Sequence, residues 1–122
     1  MRYVDGYVLP LPRKNISTYR RIAQKASQVW RDHGALEYLE SIGEDLNTKW
    51  GMPFTRTLKA KPSETVVFAW VVFKSRAHRD RVNAKVMKDP RIAKMMEKNP
   101  ALFDMKRMRY GGFKILVDSK KR

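Results

Sequence analysis

Along the first residues Tyr3, Asp5, Tyr7 and Leu9 fall on one side of an extended chain, and Val4, Gly6 and Val8 on the other. That period of two predicts a strand from Arg2 to Leu11, closed by Pro10 and Pro12, neither of which can donate to a ladder. The period then changes. Ile16, Tyr19, Ile22, Ala26, Val29, Trp30 and His33 recur at helical spacing, one apolar stripe on an otherwise polar surface. Asn15 is placed to cap this helix, and Gly34 to stop it in the left-handed conformation.

Alternation returns from Ala35 to Ile42, with Leu36, Tyr38, Glu40 and Ile42 on one face. After a turn at Gly43-Glu44-Asp45, Leu46 to Glu64 shows no period and is interrupted by Pro53 and Pro62. Such a stretch reads as a lid, an arm or the host of a short element. Thr65 to Lys74 is the central strand. Ser75 caps a helix with His78, Val82 and Val86 on one face, and Asp89-Pro90 restarts a helix carrying Ile92, Met95 and Met96, ended by Asn99-Pro100. A last strand runs from about Lys106 to Val117, where Gly111-Gly112 marks a bulge or a close approach. The order β-α-β-β-α-β predicts an α+β, ferredoxin-like fold with a four-stranded antiparallel sheet, one domain over residues 1–122.

The central strand is apolar on both faces: Val66, Phe68, Trp70 and Val72 on one, Val67, Ala69, Val71 and Phe73 on the other. Helices in this topology cover one face, so Phe68 and Trp70 need a partner. The favoured partner is a second copy, giving a homodimer through Phe68 and Trp70. The alternative is RNA: Phe68-Ala69-Trp70-Val71-Val72-Phe73 resembles the aromatic part of an RNA-recognition-motif strand, although Val66-Val67 stand where that motif has a basic residue and a glycine.

Charge strengthens that alternative. The chain carries 27 Lys+Arg against 12 Asp+Glu, net +15. The excess lies from Arg76 to Lys98, around Lys106 to Arg109, and at Lys120-Lys121-Arg122. Arg76, Arg79, Arg81, Lys85 and Lys88 form the expected anion or nucleic-acid surface, giving weak, non-specific, salt-sensitive binding. With 122 residues and 43% hydrophobic content the chain can bury one core, and its longest apolar run, Val66 to Phe73, is far short of a membrane span. A cytoplasmic protein with no membrane partner is expected. The absence of cysteine excludes disulfides and thiolate chemistry.

Four segments read together resemble a known family: Asp5-Gly6-Tyr7-Val8-Leu9-Pro10, the run from Trp30 to Tyr38, the run from Lys74 to Met87, and Tyr110-Gly111-Gly112-Phe113-Lys114. They are similar to the YbaA-like family, a bacterial group of unknown function, and the likeness covers nearly the whole chain. It implies a ferredoxin-like fold of the dimeric α+β barrel superfamily. Proteins on that architecture include cofactor-independent monooxygenases and heme-degrading enzymes, but a fold transfers no chemistry by itself.

For function, the expectation is a small-molecule-binding dimeric barrel with a pocket between sheet and helices, of the cofactor-independent oxygenase kind if it is an enzyme. His33, at the end of the helical stripe, and Glu37, four residues on, are the candidate base and orienter. Tyr19, Trp30, Trp70, His78 and Tyr110 are the candidate pocket lining. Two histidines without a recurring carboxylate spacing call for no metal, and no cofactor is expected.

Overall fold

The computed structural model describes residues 1–99 and 101–120; Pro100, placed at a helix end by the sequence, and Lys121-Arg122 of the basic terminus lie outside these. The elements are β1 (Tyr3–Pro12), α1 (Ile16–Asp32), β2 (Glu37–Ile42), α2 (Phe54–Thr57), β3 (Glu64–Phe73), α3 (Arg76–Met87), α4 (Pro90–Lys98) and β4 (Arg109–Lys114). The strands form one sheet in the order β2-β3-β1-β4, antiparallel throughout. This is the α+β, ferredoxin-like arrangement, with the second helix in two pieces. Lys88 closes α3, and the Asp89 carboxylate accepts from the Arg91 N–H to open α4.

Helices α1, α3 and α4 pack on one face of the sheet. Val29 of α1, Val82 and Val86 of α3 and Ile92 of α4 form a buried cluster with Tyr3, Val71 and Phe73. On the opposite face Phe68 is 43% exposed, beside Leu39 and Phe113. The short α2 lies against β3, and Phe54 meets Phe68 edge-on at 6.0 Å. Gly34 takes the expected left-handed conformation, φ 111°.

Three local expectations change. Pro10 does not end β1 but pairs with Val66, and the strand runs on to Pro12. The ladder to β4 stops at Val8, leaving β1 an open side on which a missing donor is tolerated. Asn15 precedes α1 without capping it, because its amide donates to the Leu102 carbonyl at 2.8 Å. Gly111-Gly112 is a close approach and not a bulge. The register is unbroken through Gly6↔Gly111 and Asp5↔Gly112, and a side chain at 112 would collide with the Tyr3 hydroxyl.

The unpatterned segment 46–64 holds one helical turn, α2, too short to show a period, and is anchored by the fully buried Leu58. Its exit is fixed by Glu64, which meets Arg107 through two hydrogen bonds of 2.8 and 2.7 Å and accepts from the Lys61 N–H. Hydrogen bonding to Arg107 holds the Glu64 carboxyl at about 2 against an ordinary 4.5. A lowered folded value means that the pair stabilises fully above the unfolded value and is lost as pH falls toward the folded one. Acid titration by circular dichroism is expected to give Arg107→Gln a higher unfolding midpoint than the natural chain. Equal midpoints would contradict this anchor.

Candidate functional site

Alternation along the strands aims two carboxylates at the helix layer: Asp5 from β1 and Glu40 from β2. In register Glu40 lies opposite Ala69, and Ala69 opposite Tyr7. The small Ala69 side chain separates the two larger groups. Outside Glu40, between α1 and the edge strand β2, runs a groove of about 520 Å³, lined by Leu11, Ile16, Tyr19, Ala23, Tyr38 and Glu40 among others.

Glu40 faces two phenols. Tyr38 donates to Oε2 at 2.7 Å, and Tyr19 donates to Oε1. Burial, and after it the Glu40 charge, pushes both tyrosine hydroxyls above their ordinary range, so both stay protonated and donating at any physiological pH. Each carboxylate oxygen offers about two lone-pair directions, and the phenols use one on each. The arrangement therefore presents free acceptor capacity beside an apolar floor. Among the described residues no cation pairs with Glu40.

Asp5 is held differently. It is fully buried and meets the Arg79 guanidinium at 3.1 Å and the Asn83 amide at 3.4 Å. Burial, opposed by Arg79, raises its carboxyl above the ordinary range. The same guanidinium sits 4.9 Å over the Tyr3 ring, and Asn83 accepts from the Trp30 indole at 3.1 Å. The Arg79 Nε has no hydrogen bond; Asp80 lies 2.9 Å away as an ion-pair contact only. Asp5 is thus enclosed by structural partners and, fully buried, faces no groove.

The structure does not bring His33 and Glu37 together. His33 caps α1 and contacts Asp89 at 2.8 Å, tying α1 to the start of α4. Glu37 faces Arg2 at 3.6 Å and Lys120 at 3.4 Å. The cause is the turn at Gly34: Leu36 already bonds the Val72 carbonyl, so the chain has left the helix layer for the sheet before Glu37. His78 takes part in the cap of α3 through Ser75 and Lys74. The His78 N–H donates to Ser75 Oγ, and His78 Nδ1 accepts from the Lys74 N–H. Burial, with the charges of Lys74, Arg81 and Lys85, lowers its pKa, which suits that acceptor role.

Of the expected pocket residues, Tyr19 lines the groove. Trp30 adjoins it, 5.9 Å from the Tyr38 ring. Tyr110 stacks on Tyr7 at 4.9 Å toward β4. Trp70 projects from the other face of the sheet, against Phe68 at 5.5 Å, and cannot share a pocket with them. Arg79 leaves the expected anion surface for the core, whereas Arg76, Arg81, Lys85 and Lys88 are exposed. Sequence reasoning placed Glu40 and Tyr38 on one face of β2 without seeing a site there. The signal was an acid among inward-facing apolar residues.

These features define an α+β domain of the ferredoxin-like type. Among solved structures it is similar to a NIPSNAP-family protein of unknown function from Agrobacterium tumefaciens, with TM-score 0.58 and 15% identity over 92% of this chain and 86% of that one. It is likewise similar to Rv0793 of Mycobacterium tuberculosis, TM-score 0.58, 13% identity, 98% and 99% covered. A third likeness is to SnoaB, a cofactor-independent oxygenase from Streptomyces nogalater, TM-score 0.52, 14% identity, 98% of both chains. At these identities the likeness establishes the fold. The chain belongs to the family described as protein of unknown function (DUF1428), whose model matches residues 2–105. It is 39% identical over 118 residues to the uncharacterized protein YbaA of Escherichia coli, covering 97% of this chain and 99% of that protein, and equally to YbaA of Shigella flexneri. No helix of the described residues is long and apolar enough to cross a membrane.

Because Arg79 neutralises a buried acid, Arg79→Met is expected to cost about 3–5 kcal/mol in urea denaturation. Arg81→Met, on the exposed side of the same helix, is expected to stay within about 0.5 kcal/mol. Equal effects would return Arg79 to the surface.

Proposed function

We propose that the protein binds a small, neutral, hydroxyl-bearing aromatic molecule in the groove between α1 and β2, with Glu40 accepting a hydrogen bond from the ligand's hydroxyl. The observation that carries this reading is a carboxylate held by two protonated phenols and by no cation, at the wall of an apolar groove. The groove's volume, about 520 Å³, lies within the range of small-ligand sites. Tyr19 and Tyr38 are locked as donors to Glu40, so the free capacity at that wall is for accepting, which favours a ligand that brings a hydroxyl donor; Arg20, Gln24 and Ser27 line the groove elsewhere and can donate to it. Glu40 replaces His33 and Glu37 as the candidate polar group of the pocket. With a phenol bound, its carboxylate accepts a hydrogen bond from the hydroxyl, which raises electron density on the ring, the help an oxygenase without a cofactor would ask of its protein. The fold shared with SnoaB supports this reading by analogy only.

The active form in this reading is a homodimer joined through the open sheet face. Phe68, Leu39 and Phe113 are 43%, 42% and 59% exposed there, and Phe113 lies across Gly6 and Gly111, whose bare backbones let the ring rest on the sheet. Covering such side chains contributes roughly 1.5–3 kcal/mol each. Weak attraction of nucleic-acid backbones by Arg76, Arg81, Lys85 and Lys88 follows from the same net charge and is secondary.

With 1-naphthol as probe, calorimetry is expected to show saturable binding at one site per protomer. Glu40→Gln should weaken it about tenfold through loss of a charge-assisted hydrogen bond, and Ala23→Trp, which fills the groove, should abolish it. Naphthalene binding as well as naphthol, or an unchanged Glu40→Gln, would overturn the assignment. For the dimer, light scattering at micromolar concentration should give twice the chain mass, falling to one chain in Phe68→Glu. A natural chain that is monomeric there would contradict it.

A further inference from the structure

A second groove lies on the far side of α1. Arg91 at the start of α4 bonds Asp32 at the end of α1 at 2.7 Å, and Asn15 at the start of α1 bonds Leu102 beyond the end of α4. The two helices therefore run antiparallel. Between them is a groove of about 580 Å³ whose floor is Ile22, Val29 and Met95. Its rim carries Arg21 and Lys25 from α1 and Lys94 and Lys98 from α4, each pair spaced i, i+4 and so on one side of its helix.

The charges on this rim are not balanced. Arg91 is tied to Asp32 and Asp89 and closes one end as a neutralised strut. Arg21, Lys25, Lys94 and Lys98 have no carboxylate within ion-pair distance among the described residues, and all four are exposed. Four like charges on two facing ridges repel one another, and an anion between them relieves that repulsion. The apolar floor extends seven residues along α1, about 10 Å at the rise of a helix. That is the length of a short alkyl chain. It is too short a contact for a partner protein, whose stable interfaces need roughly 800 Å² from each side.

We infer that the groove between α1 and α4 is a binding site for a small anionic amphiphile, an acid headgroup on a short apolar chain. The headgroup lies among Arg21, Lys25, Lys94 and Lys98, and the chain lies on Ile22, Val29 and Met95 toward the closed end. The site is separate from Glu40 and opposite to it in charge preference, so one molecule does not satisfy both.

Decanoate below its micelle concentration is the probe, followed by calorimetry at moderate salt. One decanoate per protomer is expected at this groove, with decanol and inorganic phosphate each at least about tenfold weaker, since each supplies half of the recognition. The double variant Arg21→Glu, Lys98→Glu should lose decanoate by about tenfold or more, while Arg81→Glu, Lys85→Glu, the same change of net charge on α3, should lose no more than about twofold. These residues are exposed, and circular dichroism of each variant checks that it is folded. Equal losses in the two variants would reduce the effect to net charge and overturn the site, as would decanol binding as tightly as decanoate. Phosphatidylglycerol vesicles bound in preference to monomeric decanoate would assign the surface to membranes and also overturn it. Glu40→Gln should leave decanoate binding unchanged, which separates this result from any failure of the naphthol site.

Discussion

The sheet has two apolar faces; α1, α3 and α4 cover one, and only the single turn α2 reaches the other. The rest of the molecule follows from that imbalance. On the covered side the residues of β1 and β3 that point inward meet Val29, Val82, Val86 and Ile92 and form the core. On the other side Val66 and Val72 are buried, but Phe68, Leu39 and Phe113 remain in contact with water. A monomer of this shape leaves an aromatic patch at the middle of its sheet, the kind of surface that a second copy covers.

The carboxylates of the sheet sort by what holds them. Asp5 and Glu64 are buried, and each faces an arginine, Arg79 and Arg107. Removing a buried charge from water is tolerable only with such a partner, so both pairs belong to the architecture. Glu40 is half-buried and faces Tyr19 and Tyr38 instead. It retains acceptor capacity on a groove wall, which is why a ligand reading attaches to it and not to the other two. The groove between α1 and α4 repeats the logic with the opposite sign, since among the described residues its four rim cations, two from each helix, have no carboxylate to face.

The strands and the main helices were legible in the sequence because burial leaves a simple pattern, a period of two for β1, near four for α1, and an unbroken apolar run for β3. Pro10 misled because the end of β1 has no β4 beside it, a fact of sheet register that no local pattern carries. The segment before β3 misled because α2 is a single turn. The site was less legible. His33 and Glu37 are close in sequence, but Gly34 sends the chain from one layer to another between them. Arg79 was counted among solvent charges, yet Arg79, Val82 and Val86 share one face of α3 at i, i+3 and i+7. An arginine on a buried stripe, with an inward-facing Asp5 on β1, was the available sign of a core ion pair. Glu40 gave the same kind of sign on β2, but its phenol partner Tyr19 comes from a different element, and only the fold brings them together.

The most direct test of the Glu40 site is a crystal structure of the protein grown with 1-naphthol. The naphthol ring is expected in the groove between α1 and β2, with its hydroxyl within hydrogen-bond distance of a Glu40 carboxylate oxygen and the Tyr19 and Tyr38 contacts retained. A ring seated on the open sheet face, or in the groove with its hydroxyl turned away from Glu40, would contradict it.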